Sequence, residues 1–88
     1  MVAGLNYFPV ILQRGDADDA SSIRCNWDQR LLPKFDEQIE MFWSHNQPKG
    51  WDNGNYKVVA VRSSILDAEP GTPRSQPSHI TVELEFVP

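Results

Sequence analysis

The sequence predicts a small α+β domain, in which an antiparallel sheet of three or more strands carries one main helix on one face. Three observations support this fold class. Two segments have the residue pattern of strands, a third is a compact apolar run, and another segment repeats its apolar residues at helical spacing. This order of elements fits a helix packed on one face of an antiparallel sheet.

The length of the chain favours a single domain that spans residues 1–88. A chain of this size buries about 60 to 65% of its unfolded surface, so it depends on large core side chains. Four phenylalanines, three tryptophans and two tyrosines supply them. Cys25 is the sole cysteine, which excludes an intramolecular disulfide, so we expect the aromatic side chains to stabilise the core instead.

The first predicted strand spans Leu5 to Gln13, a run rich in aromatic and β-branched residues. Pro9 lies inside this run and has no N–H to donate to a neighbouring strand. We therefore expect this strand to lie at a sheet edge or to carry a bulge. An Asp-rich loop follows, in which Asp19 or Ser22 would cap a short helix.

The main helix is predicted from Pro33 to about Ser44. Proline suits the first position of a helix because its fixed φ angle matches the helical one. Phe35, Ile39 and Phe42 recur at intervals of four and three residues, which is typical of one helix face. We expect these three side chains to point toward the sheet.

A strand is the alternative for the end of this segment. Ile39, Met41 and Trp43 occupy every second position, as the residues on one face of a strand do. Short segments are often ambiguous between the two periods. The sequence alone leaves residues 38–44 open between helix and strand.

Residues 56–66 and 80–87 have the clearest strand patterns. In the second of these strands, we expect the core face to consist of Ile80, Val82, Leu84 and Phe86. The segment 67–77 between them is rich in proline, which prevents regular pairing. We expect this segment to form the exposed arm of a long hairpin.

Charge and composition argue against several classes of function. The formal net charge is −4 and the basic residues are scattered, so we expect no nucleic-acid partner. No run approaches the roughly eighteen apolar residues of a transmembrane helix, and no basic start precedes an apolar run, so we expect neither membrane insertion nor a signal peptide. The single cysteine suits a reducing compartment and predicts a cytoplasmic protein.

Metal-binding and catalytic motifs are not recognisable in the sequence. Cys25, His45 and His79 do not have the spacing of a zinc site. The aspartates within residues 16–19 lack the glycine and the glutamate that complete a calcium loop. We therefore expect no metal, no cofactor and no catalytic residue.

One cluster brings aromatic and polar residues close together in the sequence. It consists of Trp43, His45, Trp51, Asp52 and Asn53. Ligand pockets usually combine apolar walls with a few polar groups, so the two tryptophans would flank a concave binding site with polar handles. The alternative is that the tryptophans fill the core.

The function predicted from these observations is a non-enzymatic interaction module that forms a homodimer. An open sheet edge and tryptophans at the rim of the core would form the contact surface. One alternative is a small-molecule-binding protein or enzyme with a pocket around Trp43, His45, Trp51 and Asp52. A second alternative is an acidic inhibitor that mimics another molecule, although the net charge is modest for electrostatic competition.

Overall fold

Five strands form one curled sheet, a half-barrel, in the computed structural model, which describes residues 7–65, 70–71 and 78–88. The strands are β1 (Tyr7–Arg14), β2 (Ile23–Asp28), β3 (Gln38–Met41), β4 (Gly54–Ser64) and β5 (His79–Val87). Within these described residues, the one helical element is a 3₁₀ turn at Gln29–Leu31, whose N-cap is Asp28. No helix in this part of the chain is long and apolar enough to cross a membrane.

The sheet is mixed, and its strand order is β2-β1-β5-β4-β3. Strand β1 runs antiparallel to β2 and parallel to β5, whereas β4 is antiparallel to both β5 and β3. The predicted α+β fold, with an antiparallel sheet and one main helix, is therefore wrong. Strands β2 and β3 form the two edges of the sheet.

The helix predicted from Pro33 to about Ser44 is replaced by a turn and a strand. Asp36 has a φ of 74°, a left-handed conformation that a helix does not accommodate. Its N–H donates to the Val58 carbonyl at 2.8 Å, and the N–H of Val58 donates to the Glu37 carbonyl at 2.8 Å. Pairing with β4 thus outweighs a weak helical preference, since most helical stability in proteins comes from packing.

Strand β3 confirms the alternative that its alternating residues suggested. Ile39 and Met41 are half-buried against the core. Phe35 and Phe42 are 64% and 76% exposed, so the expectation that they point inward is wrong. Their spacing matches a helix face, but Phe35 precedes β3 and Phe42 follows it, and neither side chain is held against the core.

The short helix expected after Asp19 or Ser22 is also wrong, because the segment forms β2. Its side chains alternate between half-buried Ile23, Cys25 and Trp27 and exposed Arg24 and Asn26. The 3₁₀ turn that follows β2 is all that remains of the expected helix.

Strand β1 confirms the first predicted strand, yet it lies inside the sheet rather than at its edge. The N–H of Gly15 donates to the Leu84 carbonyl at 2.9 Å, so the odd-numbered residues of β1 direct their backbone groups toward β5. Parallel pairing with β5 starts at Val10, one residue after Pro9. The missing N–H of Pro9 therefore falls just outside the ladder, and neither an edge position nor a bulge is needed.

The core lies on the concave face of the half-barrel, which we call the core face. Its buried side chains are Phe8, Val10, Leu12, Trp51, Tyr56, Val58, Ile80, Val82 and Leu84. The core face predicted for the last strand is confirmed at its three buried positions, whereas Phe86 is half-buried. The opposite, convex side of the sheet is called the outer face below.

Strands β4 and β5 confirm the two clearest strand predictions and pair as an antiparallel hairpin. The arm predicted between them, residues 67–77, lies outside the described residues except for Pro70 and Gly71. Both of these residues are exposed and form a turn.

Candidate functional site

Trp51 closes one end of the half-barrel. Its side chain is 1% exposed, and its ring centroid lies 5.2 Å from that of Tyr56 and 6.1 Å from that of Trp43. The indole N–H donates to the Ser21 carbonyl at 2.6 Å. This tryptophan therefore fills the core and also fastens the β1–β2 loop to the loop that precedes β4.

The residues that follow Trp51 form a tight turn into β4. The Tyr56 hydroxyl donates to the Asp52 carbonyl at 2.7 Å and accepts from the Asp52 N–H at 3.0 Å. The Asn53 side-chain oxygen accepts from the Trp43 N–H at 2.7 Å. Gly54, at φ 151°, completes the turn. The backbone of Asp52 and the side-chain amide of Asn53 thus stabilise this loop.

The structure brings four of the five predicted site residues together, namely Trp43, Trp51, Asp52 and Asn53. Most of their polar contacts are made with each other or with the core. His45 is exposed and makes no hydrogen bond or ion pair with another described residue. The proposed binding role of these five residues stays a prediction.

Arg14 and Asp16 fasten the same end of the molecule, and we call the cluster of Arg14, Asp16, Trp51, Tyr56 and Phe86 the closed end. The guanidinium donates to both carboxylate oxygens, at 2.7 and 2.8 Å, and lies 5.5 Å from the centroid of the Tyr56 ring. Asp16 also accepts from the Phe86 N–H at 3.1 Å. The hydrogen bond from Arg14 is the main reason why the pKa of Asp16 lies below its usual range.

Sequence reasoning missed this ion pair because nothing in the loop distinguishes Asp16 from Asp18 and Asp19. Backbone groups that are distant in the sequence hold Arg14 and Asp16 in this position. Besides the contact with Phe86, Arg14 donates to the Gly50 carbonyl at 2.7 Å. No local spacing in the sequence signals either partner.

One edge of the sheet is formed by β2, which pairs with β1 on one side only. The backbone groups of the odd-numbered residues of β1 point toward β5. Those of the even-numbered residues therefore point toward β2, where they pair with Ile23, Cys25 and Trp27. The backbone groups of Arg24, Asn26 and Asp28 therefore point away from β1. We call this row of groups the β2 edge, and no described strand lies beyond it.

Cys25 lies on the core-face side of the β2 edge as a half-buried free thiol. Burial raises the pKa of this thiol, which favours the protonated form over the reactive thiolate. His79 precedes the buried Ile80 in β5 and so projects from the outer face. The sheet therefore separates the two side chains.

An open depression with a volume of about 460 Å³ lies on the outer face beside the β2 edge. Pro9 and Ile11 of β1 form its floor. Arg24 and Asn26 stand on one side of this floor, because they pair with Ile11 and Pro9. His79 of β5 stands on the other side. We call this feature the outer-face depression, and sequence reasoning did not identify it.

Among the described residues, no group of three or more His, Cys, Asp and Glu side chains is placed to hold a metal ion. The expectation of a metal-free fold stays a prediction. No family model matches the chain, and neither a curated protein nor a solved structure shows a significant match to it. Proposals about function therefore depend on the geometry of the chain itself.

Proposed function

We propose that this chain is a non-enzymatic interaction module that forms a two-fold homodimer along the β2 edge. The observation that carries the proposal is the row of backbone donors and acceptors at Arg24 and Asn26, which faces away from the sheet. Unpaired strands of this kind recruit another strand. The cytoplasm, where Cys25 would stay reduced, is the proposed compartment.

A two-fold axis perpendicular to the sheet pairs β2 with β2 of a second copy in the antiparallel direction. Such an axis keeps the core faces of the two copies on the same side, so half-buried residues meet half-buried residues. Centring the axis on Cys25 places Ile23 opposite Trp27 of the second copy. It also places Arg24 opposite Asn26, so that the outward-facing backbone groups of both residues are hydrogen-bonded.

The register centred on Asn26 is less favourable. It places Ile23 opposite Gln29 and leaves one fewer apolar pair on the core face. This register also requires the backbone groups of Asp28 to pair with Arg24 of the second copy. Asp28 already caps the 3₁₀ turn, since its side chain accepts from the Arg30 N–H at 3.0 Å. We therefore propose the register in which the two Cys25 residues face each other.

The dimer is expected to be reversible. A six-residue strand such as β2 is about 20 Å long. An edge contact of this length falls short of the roughly 1,200 Å² buried in standard interfaces. Leu31, 69% exposed just beyond β2, would add apolar area at each end. The mass in solution should therefore rise with concentration.

Sedimentation equilibrium tests the association. The mass should increase from the 10.0 kDa of one chain toward twice that value as the concentration is raised. Asn26→Pro should lower the mass without unfolding the chain, because the N–H that it removes faces away from β1. Asn26→Ala, which keeps that N–H, is the matched control and should still dimerise.

Oxidative cross-linking tests the register. Paired residues without mutual hydrogen bonds have Cα atoms about 4.5 Å apart, which lies within the range of a disulfide. Copper–phenanthroline should therefore link two chains through Cys25. In a Cys25→Ala background, Ile23→Cys should not cross-link, since residue 23 lies opposite residue 27.

A chain that stays monomeric at high concentration, or that cross-links equally well after Asn26→Pro, would contradict the proposal. The first result would favour the alternative of a small-molecule site around Trp43, His45, Trp51 and Asp52. The acidic inhibitor, the second alternative, would also remain monomeric, and no contact among the described residues favours it.

A further inference from the structure

Arg24 differs from the other arginines of the described residues. Three of these arginines have a carboxylate partner within 3.1 Å, in the pairs Arg14–Asp16, Arg30–Asp28 and Arg62–Glu83. Arg24 has no hydrogen bond or ion pair with another described residue. Its guanidinium therefore has all five of its N–H donors available.

The unpaired guanidinium stands at the rim of the outer-face depression. His79 stands on the opposite side, and Asn26 supplies an amide next to Arg24. No aspartate or glutamate is among the described residues that line the depression. The lining thus combines a guanidinium, an amide and an imidazole above an apolar floor of Pro9 and Ile11.

We propose that the outer-face depression binds a small molecule that carries a carboxylate or phosphate group, held between Arg24 and His79. A guanidinium matches both oxyanions through parallel N–H···O bonds. The apolar part of the ligand would rest on Pro9 and Ile11, as ligand sites usually combine an apolar surface with a few polar groups.

The distance between Arg24 and His79 suits a single oxyanion bound between them. Arg24 and His79 belong to β2 and β5, the two neighbours of β1. Adjacent strands lie about 4.8 Å apart, and each residue rises about 3.3 Å along a strand. Arg24 pairs with Ile11 whereas His79 lies beside Pro9, two residues away, so the two Cα atoms stand about 12 Å apart across the floor. The long Arg24 side chain and the shorter His79 ring, inclined toward each other over this distance, reach a common carboxylate or phosphate.

This site is independent of the proposed dimer. The hydrogen bonds of the β2 edge lie in the plane of the sheet, whereas the depression opens on its outer face. A monomeric chain would therefore still bind the ligand, and a dimer without ligand binding would contradict this inference alone.

Heteronuclear NMR titration tests the inference with two probes, inorganic phosphate and succinate, at an ionic strength held constant with sodium chloride. We expect saturable shifts of the Arg24 side-chain N–H and of the His79 ring. Tighter binding of phosphate would indicate a phosphorylated ligand, and tighter binding of succinate would indicate a carboxylate. Linear shifts with both probes, without saturation, would overturn the inference.

Substitutions on the outer face identify the residues that bind. Arg24→Gln should weaken binding about tenfold or more, because hydrogen bonds between charged groups are lost. Arg62→Gln is the matched control, since this exposed arginine pairs with Glu83 and does not line the depression. Equal binding by the wild type and Arg24→Gln, in a chain whose spectrum shows it to be folded, would contradict the site.

Discussion

The closed end and the β2 edge differ in how completely their polar groups are paired. At the closed end, a bidentate ion pair, two loops and three aromatic rings meet, and Trp51 is 1% exposed. At the β2 edge, the backbone groups of Arg24 and Asn26 face away from the sheet and the Arg24 guanidinium has no described partner.

We propose that the closed end stabilises the fold and that the β2 edge serves recognition. Trp51 is part of the closed end, and Trp43 packs against its ring while Asn53 accepts from the Trp43 N–H. The β2 edge presents backbone donors and acceptors that no described strand pairs with, and there we propose that a second chain binds. Substitutions at the closed end should therefore affect unfolding, whereas substitutions at the β2 edge should affect binding.

The largest effect on stability is expected from Trp51→Ala. Removing a buried aromatic side chain costs about 3 to 5 kcal/mol, and here the hydrogen bond to Ser21 is lost as well. Urea denaturation measures the change in the free energy of unfolding. A cost below about 1 kcal/mol would mean that Trp51 is not part of the core.

Gly50→Ala should have the next largest effect. The added Cβ would lie 2.6 Å from both Cα and Cβ of Ala20, and the φ of Gly50 is 83°. We expect a loss of about 2 to 5 kcal/mol, from overpacking and from left-handed strain together. Gly71→Ala is the control because Gly71 has a φ of 80°, yet the added Cβ would have no atom of another described residue within 4 Å, chain neighbours aside. If Gly50→Ala and Gly71→Ala lower the melting temperature equally, the contact between the two loops does not contribute to stability.

Asp16→Asn tests the ion pair of the closed end through the pH dependence of stability. The pKa of Asp16 is lowered in the folded state, first by the hydrogen bond from Arg14. Its contribution is therefore complete above the ordinary carboxyl pKa of about 3.9 and is lost as the pH falls toward the lower, folded-state pKa. We expect a loss of about 1 to 3 kcal/mol at neutral pH and a weaker dependence of stability on acid.

The control for this substitution is Asp18→Asn, in the same loop. Asp18 is exposed and makes no hydrogen bond or ion pair with a described residue. Urea melts between neutral pH and about pH 3 should give the same curve for this variant as for the wild type. If the Asp16→Asn variant still loses stability steeply in acid, other carboxylates are responsible for that loss.

The smallest effect on stability is expected from Phe42→Ser. Phe42 is 76% exposed beyond the end of β3, and exposed positions usually change stability by no more than about 0.5 kcal/mol. This substitution also distinguishes the strand from the helix that the sequence predicted, in which Phe42 would face the sheet. A cost of several kcal/mol in chemical denaturation would contradict the position of β3.

The sequence by itself determined the parts of the fold in which local pattern and burial agree. Strands β1, β4 and β5 follow from their runs of apolar and alternating residues, and the buried face of β5 follows from Ile80, Val82 and Leu84. These strands form the centre of the sheet, where period and burial give the same answer. The proximity of Trp43, Trp51, Asp52 and Asn53 also follows from the sequence, because a short segment connects them.

Only the tertiary structure decided which residues form β2 and β3, and where the unpaired groups lie. Edge strands are short and half-exposed, so their own residues do not specify a strand strongly. Hydrogen bonds to a neighbour, such as those between Val58 and the turn at Asp36, select it. The β2 edge and the outer-face depression arise in the same way. Arg24, Asn26 and His79 become neighbours only when β1 lies between β2 and β5, an order that depends on contacts distant in the sequence.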